Sequence, residues 1–201
     1  PTERLRIDSS GRVYIGATSG GNADTDDLVI SGSGKKGITI CSTDGSESRL
    51  TFADGLSGVN AVAGNITYTH SNDSLDLYTA TTRRLRIDSS GRVMIGNTAA
   101  GQMYSGADNL VIGNTSGENG ITIISQSNSH GRILFSDSLT SGAATYQGQI
   151  NYNHGADELD ILTYSSGQIV MSTSNTEALR INSSGYVGIN DSSPPWPLSI
   201  R

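Results

Sequence analysis

Paired carboxylates are the residues whose type and spacing come closest to a catalytic arrangement. Asp73 and Asp76 lie close together, and Asp157, Glu158 and Asp160 occupy the corresponding place later in the chain. Two carboxyl groups held at a fixed distance can hydrolyse a glycosidic bond. Both sets, however, alternate with Leu or Ile, as the outer polar face of a strand does. A duplicated polar face explains them better than a duplicated active site, so we expect no catalytic residues and no enzyme activity.

Metal binding is the second chemistry that the residue types allow. His70 and His154 occupy equivalent places, in ITYTH and INYNH, and the run DTDD at 24–27 has the oxygen density of a calcium loop. The sequence contains no His-x-His pair, and the stretch that corresponds to the acidic run, at 106–109, loses most of the carboxylates. We interpret the histidines as surface or hydrogen-bonded residues and the acidic run as a solvated turn. No metal and no other cofactor is therefore expected.

Glycan binding uses exposed aromatic rings, because the faces of sugars are apolar. Tyr68 and Tyr152 are equivalent in the internal repeat described below, so we interpret them as structural. The candidates for a glycan-binding role are four aromatic residues without such an equivalent: Tyr14, Tyr104, Tyr146 and Trp196. Packing within the fold is the competing role for each of them.

The composition is poor in the side chains that form a core. Leu, Ile, Val and Phe make up 43 of the 201 residues, whereas Gly, Ser, Thr and Asn make up 88, which disfavours helices. No apolar stretch approaches the length that spans a membrane, and a net charge of -6 argues against nucleic-acid binding. We expect several copies of the chain to share one core, with Cys41 as a core or interface residue.

A tandem repeat organises the chain. Residues 4–16 read RLRIDSSGRVYIG, residues 84–96 read RLRIDSSGRVMIG, and residues 178–190 read ALRINSSGYVGIN. The segments between these copies, such as GITI at 37–40 and 120–123, also recur in the same order. Such self-similarity is typical of repeat architectures. The expected units are a first one that begins mid-unit, a second one and the start of a third: 1–82, 83–177 and 178–201.

The alternation of apolar and polar residues predicts short strands, and the DSSG or NSSG between them predicts a hairpin turn. The acidic or amide side chain can accept a hydrogen bond from the amide two residues later, and the glycine supplies a positive φ. The predicted turn residues are Asp8, Gly11, Asp88, Gly91, Asn182 and Gly185. We therefore expect an all-β fold of elongated tandem repeats, with chains intertwined as a homotrimeric fibre of triple β-helix or β-prism type. An array of single-chain β-sandwiches is the alternative.

The hairpin sequence resembles the repeat regions of bacteriophage tail fibres and tailspikes, in which (L/R)LRI(D/N)SSGxVGIG hairpins recur. The segment VGINDSSPPWPLSI at 187–200 is similar to their VGIGTxSPxxxLxV, although it has Asn190 in place of Gly and a Pro-rich insert at 194–197. The resemblance covers the three hairpins closely and the intervening strands only in general character.

The resemblance implies a structural protein of the virion, extracellular, that forms a homotrimer and serves in host attachment. Its implied partners are sister copies, other tail proteins, and a host surface glycan or outer-membrane receptor, without nucleic acid or membrane insertion. Two alternatives are a polysaccharide-degrading tailspike and a fibre that decorates the head or capsid. The sequence is further interpreted as a fragment of a longer polypeptide, because Pro1 lies inside a repeat unit.

Overall fold

The structure, a computed structural model, describes residues 3–96, 106–137 and 146–201, without the side chain of Tyr146. In these residues the regular elements are short β-strands and one short 3-10 helix, Gly58–Val62, so the all-β prediction is confirmed. The chain divides into two compact units, Pro1–Gly120 and Ile121–Arg201. Strand pairing within each unit produces small, open sheets.

The first unit contains two sheets. A three-stranded sheet has the order β1-β2-β3 and a six-stranded sheet has the order β4-β5-β6-β7-β8-β9. The strands are β1 (Leu5–Ile7), β2 (Val13–Ile15), β3 (Leu28–Ile30), β4 (Glu47–Phe52), β5 (Gly64–Thr69), β6 (Ser74–Thr79), β7 (Thr82–Ile87), β8 (Val93–Ile95) and β9 (Leu110–Ile112). The 3-10 helix lies between β4 and β5.

The second unit also contains two sheets, of three and four strands. They have the orders β10-β11-β12 and β13-β14-β15-β16. The strands are β10 (His130–Ser136), β11 (Tyr146–Asn153), β12 (Glu158–Thr163), β13 (Ile169–Thr173), β14 (Thr176–Ile181), β15 (Val187–Ile189) and β16 (Leu198–Ile200). The second repeat contains an extra segment, residues 167–179, that the first repeat lacks. This segment includes β13, which pairs with β14.

Each copy of the repeated hairpin forms the same three-stranded arrangement. The two hairpin strands pair antiparallel, with Leu5 opposite Ile15 in the first copy, and a third strand then pairs in parallel with the second. The same pattern joins β7, β8 and β9, and again β14, β15 and β16. The DSSG and NSSG motifs predicted the hairpin but not this parallel third strand.

The registers align one row of apolar residues across the whole six-stranded sheet. Each member faces the next on the neighbouring strand, and we call this set the apolar row: Leu50, Ile66, Leu77, Leu85, Ile95 and Ile112. The adjacent residues form the polar row on the opposite face: Arg49, Thr67, Asp76, Arg86, Met94 and Val111. Because successive side chains of a strand point to opposite faces, these two rows define the two faces of the sheet.

Candidate functional site

The apolar row lies on an open face. Leu50, Ile66, Leu77 and Ile95 have exposed fractions between 37% and 51%. Large apolar side chains are normally the most buried residues of a globular domain. A sheet with one face uncovered in this way presents a surface that another polypeptide can cover.

The polar row is closed by contacts within the chain. Asp76 is only 1% exposed, and Arg86 donates two hydrogen bonds to it, from Nε to Oδ1 at 2.7 Å and from Nη2 to Oδ2 at 2.6 Å. Thr67 is also buried, and its hydroxyl donates to Asn65 Oδ1 at 2.6 Å. The hydrogen bond and ion pair with Asp76 raise the pKa of Arg86. The chain therefore buries the middle of its polar face, while Arg49 and Thr51 at the β4 end stay exposed, and it leaves its apolar face open.

For Asp76 this corrects the expectation that the paired carboxylates lie on an outer polar face, whereas Asp73, Asp157 and Glu158 are exposed. Asp76 lies on a buried face because Arg86 neutralises it there, and a carboxylate held by two charge-assisted hydrogen bonds is not available as a nucleophile or base on an open surface. Asp160, its repeat equivalent, accepts a hydrogen bond from Asn151 Nδ2 at 2.8 Å and is partly exposed.

The second unit repeats the open apolar face. Ile133, Ile150 and Ile161 form the corresponding row across β10, β11 and β12, and all three are exposed. On the opposite face Asn151 is buried, and its Oδ1 accepts a hydrogen bond from Arg132 Nε at 3.1 Å. The arrangement is thus a property of the repeat.

A groove of about 300 Å³ lies on this apolar face of the second unit. Ile121 and Ile123 form one wall, and the sheet residues Ile150, Tyr152 and Leu159 contribute to the lining. The extended segment at 120–124 therefore lies beside the face, although it belongs to no strand of the sheet.

The accessible area of the chain indicates how much surface lacks a partner. The chain exposes 14705 Å². Two separately folded globules that share its mass would together expose only about 10,900 Å². The chain thus exposes more surface than compact globules of its mass do. In the part of the chain that the structure describes, Tyr14 and Met94 are the only large apolar side chains that are fully buried.

The predicted turn residues adopt the expected geometry in all three hairpins. The amide of Ser10 donates to Asp8 Oδ1 at 2.8 Å, and the corresponding bonds to Asp88 and Asn182 measure 2.9 and 3.0 Å. The glycines that follow all have positive φ, at 84°, 79° and 78° for Gly11, Gly91 and Gly185 respectively.

In each of the first two hairpins, an arginine that the sequence analysis did not single out links the turn to the segment just before the third strand. Arg92 donates from Nε to Asp88 Oδ2 at 2.7 Å and from Nη1 to Asp108 Oδ2 at 2.9 Å. The hydrogen bond from Arg92 lowers the pKa of Asp88. Arg12 bridges Asp8 and Asp26 in the same way, at 2.8 and 2.6 Å.

The third hairpin lacks this bridge. By strand register, Tyr186 stands at the position of the bridging arginine and Trp196 at the position of its distant carboxylate. Both partners therefore change together, and this joint change between repeats is the signal in the sequence that could have revealed the bridge.

The acidic run at 24–27 was expected to be a solvated turn, and the structure corrects this for one of its residues. Asp26 is buried because its carboxylate accepts the hydrogen bond from Arg12. Among the described residues, no group of three or more His, Cys, Asp or Glu side chains is arranged to hold a metal ion.

The histidines make local contacts. Ser48 Oγ lies 3.2 Å from His70 Nε2, and the rings of Tyr68 and His70 pack edge to face with centroids 5.0 Å apart. Tyr152 and His154 pack in the same way at 4.9 Å.

The four aromatic candidates for glycan binding differ in their exposure and in whether the structure describes them. Tyr14 is 2% exposed and its hydroxyl donates to Asp8 Oδ2 at 3.4 Å, so the expectation that it could offer a sugar-binding ring is wrong. Trp196, in contrast, is 70% exposed. Tyr104 lies outside the described residues, and Tyr146 begins β11 but its side chain lies outside them. Cys41 is exposed in the single chain rather than in a core.

Comparison with protein-family models gives no match, and comparison with curated proteins also gives none. Within the residues that the structure describes, no helix is long and apolar enough to cross a membrane. The open apolar face is therefore the feature on which a functional proposal can be built.

Proposed function

We propose that the chain is a segment of a homotrimeric fibre on a bacteriophage tail and that it serves in attachment to the host. The single observation that carries the proposal is the exposure of the apolar row on a sheet whose opposite face buries Thr67 and Asp76. Sister copies that cover this face complete a core that one chain cannot form. The number three and the location on the tail come from the resemblance of the DSSG hairpins to fibre repeats.

The role of such a segment is mechanical and multivalent. Three identical chains present three copies of every exposed patch, so that weak contacts with a host glycan add through their effective concentration. Trp196 is the aromatic residue that supports a glycan contact here, because most of its side chain is exposed.

The mass of the native protein tests the shared core. Sedimentation equilibrium should give three times 21.0 kDa. A stable monomer would contradict the proposal, because the protein would then be folded with its apolar faces exposed to water.

The position on the virion tests the role. Antibodies against this segment should label the tail of the particle that carries it, and the purified protein should compete with the particle for host cells. Labelling of the head would favour a head fibre instead. Release of reducing ends from host capsular polysaccharide would favour a polysaccharide-degrading tailspike.

A further inference from the structure

We propose that residues 37–41 and 120–124 are exchanged strands, which pair through their backbones with the open edges of β4 and β10 in a sister chain. This inference rests on the proposed assembly and names the segments and edges that join its copies. Its partner is a second copy of this chain.

The two segments have the pattern of strands without a strand's pairing. They read GITIC and GITII, and their isoleucines are largely exposed, at 68% for both Ile38 and Ile121. Within the described residues, the backbone groups of both segments form no backbone–backbone hydrogen bond. Extended chain with unpaired amides and carbonyls is a template for pairing with another strand.

A tight turn connects each segment to the strand that follows it. The amide of Ser46 donates to the carbonyl of Thr43 at 3.1 Å, and that of Ser129 donates to Gln126 at 2.9 Å. Such a turn would permit each segment to form a hairpin with the strand that follows it, β4 or β10. Neither segment pairs with that strand within the chain. A methyl group built on Gly131 would lie 3.5 Å from Ile123 Cγ2, so the second segment lies over the apolar face of β10.

The edges that could receive these segments are present in the same units. β4 ends the six-stranded sheet and β10 ends the three-stranded sheet, and no strand among the described residues pairs with their outer edges. An unpaired segment and an unpaired edge of similar length thus occur together, once in each unit. Both the unpaired segment and the unpaired edge recur in the two repeats. A sister chain carries both and can therefore pair with both, whereas a foreign partner that supplied only a strand would leave the segment unpaired.

The area of the chain agrees with this exchange. Its accessible surface exceeds that of compact globules of the same mass, as expected for a chain with unpaired segments and edges. Pairing at the edges would also bring Ile38 and Ile40 of one chain beside the apolar row of another, since alternate residues of a strand share a face.

Disulfide trapping between differently tagged full-length chains tests the exchange. One chain keeps Cys41 as its cysteine, and the other carries Cys41→Ser together with Glu47→Cys, Arg49→Cys or Thr51→Cys. Alternation places Cys41 on the side opposite Ile38 and Ile40, the side on which these three β4 residues lie. Paired strands bring Cα atoms within the range that a disulfide spans.

We expect a disulfide between the two tagged chains for at least one of the three positions after joint refolding and oxidation. Matched controls with Ser48→Cys or Leu50→Cys, on the other face of the same strand, should give about tenfold less product. Chains that assemble to the trimer mass without product above these controls would overturn the exchange and leave the proposed function standing. Chains that stay monomeric would contradict both.

Amide hydrogen exchange provides a second measurement without substitutions. In the native protein, the alternate amides at 37–41 and 120–124 that point to the paired edge should exchange about 100-fold more slowly than in free peptides of the same sequence. The loop at 32–36, which also forms no backbone–backbone hydrogen bond, is the internal control and should remain fast. Exchange of both segments at the peptide rate would overturn the proposal.

Discussion

The two faces of the six-stranded sheet are made by alternate residues of the same strands, and they differ in how each is completed. The polar face is closed within the chain, since Asp76 and Arg86 neutralise each other across neighbouring strands. On the apolar face most of the large side chains are exposed, such as Leu50 and Leu77. Buried ion pairs contribute little net stability, but they select one arrangement because any other leaves a charge unpaired. The polar face thus specifies the register, and the apolar face supplies the surface for association.

A charge on the apolar face should have the largest effect, because it acts on association itself. We expect Leu77→Asp to abolish the trimer, since a buried carboxylate without a partner costs several kcal/mol in each copy. Sedimentation should then give 21.0 kDa. Ser71→Asp adds the same charge in the exposed turn between β5 and β6, away from the apolar face and from the edge of β4. It is the matched control and should still assemble.

Removal of a buried carboxylate should have the next largest effect, on stability rather than association. Asp76→Ala leaves Arg86 buried without its acceptor and should destabilise the protein by about 3–5 kcal/mol. Asp160→Ala removes one hydrogen bond from the repeat equivalent and should cost about 1 kcal/mol. Denaturant unfolding of both variants measures the difference, and equal losses would mean that the Asp76 pair does not specify the sheet.

The turn before β8 fixes which residues of β7 and β8 lie opposite each other, so a change there sharpens the comparison. Gly91→Val should cost about 1–3 kcal/mol, because a β-branched residue is strained at positive φ. A Cβ at Gly91 meets nothing within 4 Å, so the loss would come from the backbone alone. Ser90→Val adds the same side chain next to it, where φ is not positive, and should melt close to the unchanged protein.

The smallest expected effect is a dependence on pH at the end of the polar face. Arg92 lowers the pKa of Asp88 in the folded state. The stability from this pair is therefore present above about pH 4, the ordinary aspartate value, and is lost as the pH falls through the lowered pKa. Asp88→Asn keeps the turn, as Asn182 does in the third hairpin, but cannot titrate. Melting curves from pH 6 to 3 should show the difference between the two proteins narrowing, and a constant difference would contradict the pairing.

Local features of the fold were predictable because they depend on neighbours in sequence. The Asx turn at Asp8 and the positive φ of Gly11 involve residues within a single tetrapeptide. The short strands followed from the alternation of apolar and polar side chains. Tyr14 was not predictable in this way, because its burial depends on Arg12 and Asp8, which surround it only after the hairpin forms.

The sequence by itself determined the repeat, the all-β class and the residues that share a face of each strand, since a period of two is a property of the backbone. Only the tertiary structure decided which face lies inside. That choice depends on Arg86 of β7 meeting Asp76 of β6, and on Arg92, just before β8, meeting Asp108, just before β9. The alternation of apolar and polar residues along a strand is the same whichever face of the sheet is covered. The contacts between strands therefore decide that the polar side chains are buried and that the apolar face stays open.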